Sequence, residues 1–165
     1  MFTTPPTGML AGTLLFLGCV SGCVGCHSSS KIKLGPVSDA CEVLTPSEIS
    51  AVLGMPIDAG KHAINNSPIM CGWTRTGASD DPEVILNFQR PDYFEKEREP
   101  HPRITMTPAP GIGDDAYYIT SELGTSLFIK RGNSVIGFTI RDKSIPSADL
   151  MAKERALGLK AAERI

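Results

Sequence analysis

The uneven distribution of charge is the feature that most constrains this chain. All of its charged residues, 16 Lys and Arg and 18 Asp and Glu, lie beyond residue 30. The uncharged first thirty residues therefore form a different kind of segment from the rest, which has the composition of a soluble globular domain. A chain of 165 residues leaves room for one domain of ordinary size after that segment. The net charge of -2 gives no electrostatic basis for binding nucleic acid.

The uncharged segment contains an apolar run from Met9 to Val20. As a helix this run is about 18 Å long, which is shorter than the roughly 30 Å core of a bilayer. Its length is typical of the apolar centre of a secretory signal peptide, although no Lys or Arg precedes it. The run ends in Val20-Ser21-Gly22-Cys23, which resembles the lipobox of bacterial lipoproteins. That resemblance implies that Cys23 carries a diacylglycerol whose acyl chains hold the protein to the cell membrane or the outer membrane, outside the cytoplasm.

The same residues have a second interpretation. Cys23-Val24-Gly25-Cys26-His27 matches C-x-x-C-H, the attachment sequence of c-type haem, with His27 as an axial ligand. One sulfur cannot carry both groups, so the two interpretations exclude each other at Cys23. The next residues, Ser28-Ser29-Ser30-Lys31, have the composition of a flexible tether rather than of the apolar walls that haem needs, which favours the lipid. An electron carrier with haem c remains the alternative.

The rest of the chain predicts an α+β domain. A capping box, Thr45-Pro46-Ser47-Glu48, predicts a helix that ends at Gly54, and a closing helix begins at Pro146-Ser147. In that closing helix Leu150 is predicted to face the core and Glu154 to face away from it. The other predicted elements are an antiparallel pair of strands at 69–76 and 83–89, a short helix at 91–98 whose charges face water, an edge strand at 103–107, and a three-stranded meander at 116–120, 126–130 and 134–141.

This order of elements predicts an antiparallel sheet with helices packed on one face. The predicted organisation is a lipoprotein signal peptide at 1–22, a lipidated tether at 23–38 and a single α+β domain at 39–165.

Four segments of the domain resemble a family of bacterial lipoproteins of unknown function that is best known from actinobacteria. The segments are Cys41-Glu42-Val43-Leu44-Thr45-Pro46-Ser47-Glu48-Ile49, Leu53-Gly54-Met55-Pro56, Cys71-Gly72-Trp73, and Pro110-Gly111-Ile112-Gly113-Asp114-Asp115-Ala116-Tyr117-Tyr118. The resemblance covers most of residues 41–165. It implies export, a lipid anchor and a disulfide, and it supplies no catalytic residue.

The folded part contains two cysteines, Cys41 and Cys71, and in an exported protein an even pair predicts a disulfide. Closing this loop stabilises the fold by roughly 3–4 kcal/mol in the chain-entropy model. Trp73 is expected to pack against the bond.

The sequence contains no recognisable catalytic motif. The histidines His27, His62 and His101 are isolated in the sequence and have no metal-ligand spacing, and His62 and His101 are expected to lie in surface loops. No metal and, apart from the haem alternative, no cofactor is therefore predicted. We therefore expect a non-enzymatic module that binds a small ligand or an envelope protein.

A binding face is predicted from the strands of the meander, because both faces of these strands carry large apolar side chains. Part of the second face must be covered, either by the loop at 65–69 or by a ligand or a partner protein. Tyr118 and Phe128 are the residues assigned to this face.

Overall fold

The structure is a computed structural model that describes residues 37–165 except positions 66, 79, 80, 82 and 100. The predicted signal peptide and most of the predicted tether lie outside these residues. The helices are α1 (Ala40–Val43), α2 (Pro46–Leu53), α3 (Pro91–Lys96) and α4 (Ser147–Ala162). The strands are β1 (Lys61–His62), β2 (Met70–Trp73), β3 (Val84–Gln89), β4 (Thr105–Pro108), β5 (Asp115–Ser121), β6 (Gly124–Arg131) and β7 (Ser134–Ile140). The predicted elements are present in the predicted order, and α1 and β1 are additional.

Helix α2 begins at the capping box, as predicted. The hydroxyl of Thr45 accepts a hydrogen bond from the backbone N–H of Glu48, and the carboxylate of Glu48 accepts one from the backbone N–H of Thr45. The helix ends at Gly54, whose φ of 77° is the left-handed conformation that favours glycine. Local sequence therefore fixes both ends of this helix.

In the described part of the chain, the strands form one antiparallel sheet in the order β1-β2-β3-β7-β6-β5-β4. The predicted pair β2–β3, the meander β5–β6–β7 and the edge position of β4 are confirmed. The two halves are joined by the pairing of β3 with β7, in which Leu86 lies opposite Phe138. The α+β class is confirmed.

Alternation of side chains along each strand gives the sheet two faces. The first face carries the main core, whose largest members are buried aromatic and aliphatic side chains. Helices α1 and α4 pack against the strands on this face, and α2 packs against α4. The fully buried residues of this core include Trp73, Leu86, Leu127, Ile129, Ile136, Phe138 and Leu157.

The second face holds α3, so the prediction that all helices lie on one face is wrong for this helix. Phe94 of α3 is completely buried and packs with Tyr117 and Val135 in a separate apolar cluster. The charges around Phe94 suggested a water-facing helix, but one aromatic side chain is enough to dock a short helix on a sheet.

Hydrogen bonds and an ion pair join the C-terminal end of α4 to the start of the domain. The guanidinium of Arg164 donates hydrogen bonds to both carboxylate oxygens of Glu48, at 2.9 and 2.7 Å, and to the carbonyl oxygen of Val43 at 2.6 Å. This ion pair lowers the pKa of Glu48 to about 2. The backbone N–H of Val37 donates to the carbonyl oxygen of Arg164 at 3.2 Å. The described chain therefore begins beside the C-terminal end of α4.

Candidate functional site

Cys41 of α1 and Cys71 of β2 form the predicted disulfide, with an S–S distance of 2.02 Å. Trp73 lies on the same strand and is completely buried. The backbone of Gly60 packs against both side chains, since a Cβ there would lie 2.6 Å from Cys71 Sγ and 2.7 Å from Trp73 Nε1. Only glycine allows this close approach, so the inner side of the disulfide is tightly packed.

Asp39 and His62 lie beside the disulfide. Asp39 caps α1 by accepting a hydrogen bond from the backbone N–H of Cys41 at 2.8 Å. The Nε2 atom of His62 lies 2.9 and 3.0 Å from the two carboxylate oxygens of Asp39. His62 belongs to β1, where it pairs directly with Cys71. The sequence interpretation of His62 as an isolated loop residue is therefore wrong, because the fold brings a carboxylate, an imidazole and two sulfurs together.

The structure separates Tyr118 and Phe128, which were predicted to share a binding face. Tyr118 pairs with Leu127, whereas Phe128 pairs with Tyr117. Because directly paired residues project to the same side of a sheet, Tyr118 lies on the first face and Phe128 on the second. Tyr118 is 5% exposed, and its hydroxyl donates to the carbonyl oxygen of Met151 in α4 at 3.1 Å. Tyr118 is a core residue, so the prediction of a shared face is wrong.

Helix α3 provides the cover that Phe128 requires. The ring of Tyr117 stacks on Phe128 with centroids 5.3 Å apart and lies 4.8 Å from the ring of Phe94. The hydroxyl of Tyr117 donates to the carbonyl oxygen of Phe94 at 2.8 Å. The guanidinium of Arg98 lies 4.8 Å from the ring centres of both Phe94 and Tyr117. At this end of the second face the cover is thus part of the domain, and neither a ligand nor the loop at 65–69 is needed there.

The rest of the second face carries both polar and apolar side chains, because the half-buried Ile85 and Ile119 pair directly with Thr139 and Ser126. Asn87, Ser126 and Thr139 are half-buried there, and the hydroxyl oxygens of Ser126 and Thr139 lie 2.8 Å apart. Side chains of this kind are expected on a sheet surface that faces water.

A groove of about 660 Å³ lies where the β5–β6 turn, the end of β7 and the start of α4 meet. Its apolar lining includes Ile140, Ile145 and Leu150, and Leu123 in the β5–β6 turn is 96% exposed. The remaining lining residues are Ser121, Glu122, Gly124, Arg141, Asp142, Lys143 and Ser147. The groove is open to solvent and most of its lining residues are polar, and its volume is sufficient for a small ligand.

The carboxyl group of Glu154 lies behind this groove, one helical turn beyond Leu150. Glu154 is completely buried, and its Oε1 accepts a hydrogen bond from the backbone N–H of Ile140 at 3.3 Å. Burial raises the pKa of Glu154 to about 7, although the Ile140 N–H and the Thr125 hydroxyl act in the opposite direction. The Thr125 hydroxyl lies near the carboxyl group but does not complete a hydrogen bond, and Glu154 Oε2 also has no partner among the described residues.

The prediction that Glu154 faces away from the core is wrong. The sequence did contain a signal, because Leu150, Glu154, Leu157 and Ala161 follow the spacing of one helix face. Because Glu154 is a charged residue, it was not assigned to this buried face.

The predicted lipidation site Cys23 and the alternative haem ligands Cys26 and His27 lie outside the described residues. Within the part of the chain that the structure describes, no helix is both long and apolar enough to span a bilayer. The resemblance to a lipoprotein family therefore stays a prediction that rests on the quoted motifs. No protein-family model, curated protein or solved structure matches this chain.

Proposed function

We propose that this protein is an exported, lipid-anchored protein of the cell envelope that binds a ligand or a protein partner without catalysing a reaction. The observation that carries the proposal is the disulfide between Cys41 and Cys71. Disulfides persist in oxidising compartments and are rare in the cytosol. Together with the lipobox-like Val20-Ser21-Gly22-Cys23, this bond supports export followed by attachment through Cys23.

The groove at the start of α4 supports the binding role. It lies at the opposite end of α4 from Val37, and a helix of 16 residues separates these two ends by about 24 Å. A domain that is held by its N-terminal tether would therefore carry its groove on the side away from the attachment point.

Glu154 is too deeply buried to touch a ligand in the groove. This burial favours binding over acid–base catalysis.

The anchoring experiment compares Cys23→Ala with Cys26→Ala in the full chain. Cys23→Ala should move the protein from the membrane to the soluble fraction, because no acyl chain can then be attached. Cys26→Ala should remain on the membrane, and mass spectrometry of its N-terminus should find a diacylglycerol on Cys23. An unmodified Cys23 on a membrane-bound protein would contradict the proposal.

The same variants test the haem alternative. If haem c is attached, the wild-type protein has a Soret absorption band and Cys26→Ala loses it. Under the lipid proposal neither protein has this band.

The binding role is tested with a photo-crosslinking amino acid at one of two exposed leucines. Leu123 lies in the lining of the groove and is 96% exposed, whereas Leu159 lies on α4 and is 42% exposed. In intact cells, the probe at position 123 should give a discrete adduct and the probe at position 159 should not. Equal labelling at both positions, or no adduct at position 123, would count against the groove as the binding surface.

A further inference from the structure

The surroundings of the disulfide contain the ligand types of a metal site. Asp39, Cys41 and His62 each offer one ligand atom, and these atoms all lie within 4.8 Å of one another. Cys71 adds a second sulfur, because it is bonded to Cys41 and pairs with His62 across the sheet. One carboxylate, one imidazole and two sulfurs thus meet where α1, β1 and β2 come together.

The oxidation state of the sulfurs decides what this cluster can bind. The thiolate is the metal ligand in proteins, so the intact disulfide leaves only Asp39 and His62 as good ligands. Structural zinc sites use four ligands, commonly cysteine together with histidine. With the disulfide intact, the cluster therefore lacks two of the four ligands. Reduction would supply them as the thiolates of Cys41 and Cys71.

We propose that reduction of the Cys41–Cys71 disulfide converts this cluster into a site for a divalent metal ion of the zinc class. A dithiol reductant transfers two electrons to the disulfide by thiol exchange and becomes a cyclic disulfide itself. The metal ion then displaces one proton from each of the two new thiols and binds both thiolates and His62. Asp39 completes the set of four ligands.

The cluster has the dimensions that such a site needs. With Zn–S bonds of about 2.3 Å and Zn–N bonds of about 2.0 Å, the ligand atoms of a tetrahedral site lie about 3.3–3.8 Å apart. The ligand atoms of Asp39, Cys41 and His62 lie within 4.8 Å of one another and would have to move by about 1 Å. The Sγ atom of Cys71 lies outside that group and is bonded to Cys41 Sγ at 2.02 Å, so after reduction the two sulfurs would also have to separate by about 1.7 Å. The side chains of His62 and Asp39 are 35% and 28% exposed, so an ion can enter from the solvent side. Gly60 closes the opposite side. This inference does not depend on lipid anchoring or on the groove.

The experiment uses the full chain carrying Cys19→Ser, Cys23→Ser and Cys26→Ser, which leaves Cys41 and Cys71 as its cysteines. The protein is reduced with a dithiol, separated from it without oxygen, and titrated with Co²⁺, which is then displaced by Zn²⁺. We expect one Co²⁺ per chain, with a thiolate-to-cobalt charge-transfer band and the visible bands of four-coordinate cobalt. The oxidised protein should bind no Co²⁺ with these bands.

Two histidine variants identify the site. His62→Ala should weaken Zn²⁺ binding by at least about tenfold, whereas His101→Ala, a change in an exposed residue between α3 and β4, should leave the affinity unchanged. The absence of metal binding by the reduced protein, or equal affinities of the two variants, would overturn the proposal.

Circular dichroism of the reduced protein covers the case in which reduction unfolds the domain. Zn²⁺ should then restore the spectrum of the folded protein in His101→Ala and fail to do so in His62→Ala. A reduced chain that stays unfolded in Zn²⁺, or that refolds equally well without His62, would also overturn the proposal.

Discussion

The two faces of the sheet are built from the same strands but differ in how they are covered. The first face lies under α1 and α4 and carries the main apolar core. The second face has the short helix α3 over one part and half-buried polar and apolar side chains over the rest. Neighbours in sequence consequently have different surroundings: Leu127 is completely buried, and Phe128 is half-buried. The lesson is that the size of an apolar side chain does not determine its contribution to stability, which depends on how completely the neighbouring elements cover it.

The largest effect is expected from truncating these two neighbours. Leu127→Ala should lower the free energy of unfolding by about 3–4 kcal/mol, because it leaves a cavity against Gly158 of α4. Phe128→Ala should cost about 1–2 kcal/mol although its side chain is larger, because part of that side chain already faces water. Urea unfolding followed by the fluorescence of Trp73 measures both values. An equal or greater loss for Phe128→Ala would break the comparison of the two faces.

The buried carboxyl group of the first face should make stability depend on pH. The pKa of Glu154 in the folded protein, about 7, lies above its ordinary value of 4.5, so the folded state binds the proton more tightly than the unfolded chain. The stability contributed by the protonated group is present below pH 4.5 and is lost as the pH rises through 7. Between pH 5 and 8 this loss should amount to roughly 2 kcal/mol.

Glu154→Gln cannot titrate and should therefore flatten this pH dependence in urea unfolding. The matched control is Glu42→Gln, which changes an exposed glutamate of α1 and should keep the wild-type slope. A Glu154→Gln protein with the wild-type slope would show that another group causes the pH dependence.

The smallest expected effect is the difference in stability between removing the hydroxyl group of Ser126 and removing that of its neighbour Thr125. Ser126 on the second face pairs its hydroxyl with that of Thr139, so Ser126→Ala should lower the free energy of unfolding by about 0.5–1 kcal/mol. Thr125 on the first face is buried without a hydrogen-bond partner among the described residues. Thr125→Val should therefore cause no loss, because it removes an unsatisfied polar group and keeps the volume. Thermal unfolding at pH 5 compares the two, and a larger loss for Thr125→Val would contradict the assignment.

Local patterns were sufficient to predict a large part of the fold. The helix at Thr45–Gly54, the β5–β7 meander and the disulfide each follow from residues that are close in sequence or from a simple pairing of cysteines. Caps, turns and alternation are properties of short segments, and so they can be recognised without knowledge of the tertiary contacts.

The sites could not be predicted in the same way, because they depend on register and on contacts between distant segments. Tyr118 and Phe128 were grouped wrongly, because a shift of one residue in strand pairing exchanges the faces. His62 and Asp39 meet only because the two-residue strand β1 pairs with β2, and no local pattern indicates so short a strand. The burial of Glu154 follows from the packing of α4 on β6 and β7.

The disulfide also determines how the protein would carry a mechanical load. If the chain is held at its N-terminal end and pulled at its C-terminal end, tension passes from Cys41 to Cys71 through the sulfur atoms. Residues 42–70, which include α2 and β1, lie inside the closed loop and cannot be stretched while the bond is intact. At 3.3–3.6 Å per residue, the sequence separation of 30 between Cys41 and Cys71 corresponds to about 100 Å of extended chain. When the domain is fully unfolded by force, its oxidised form would therefore be about 100 Å shorter from end to end than its reduced form.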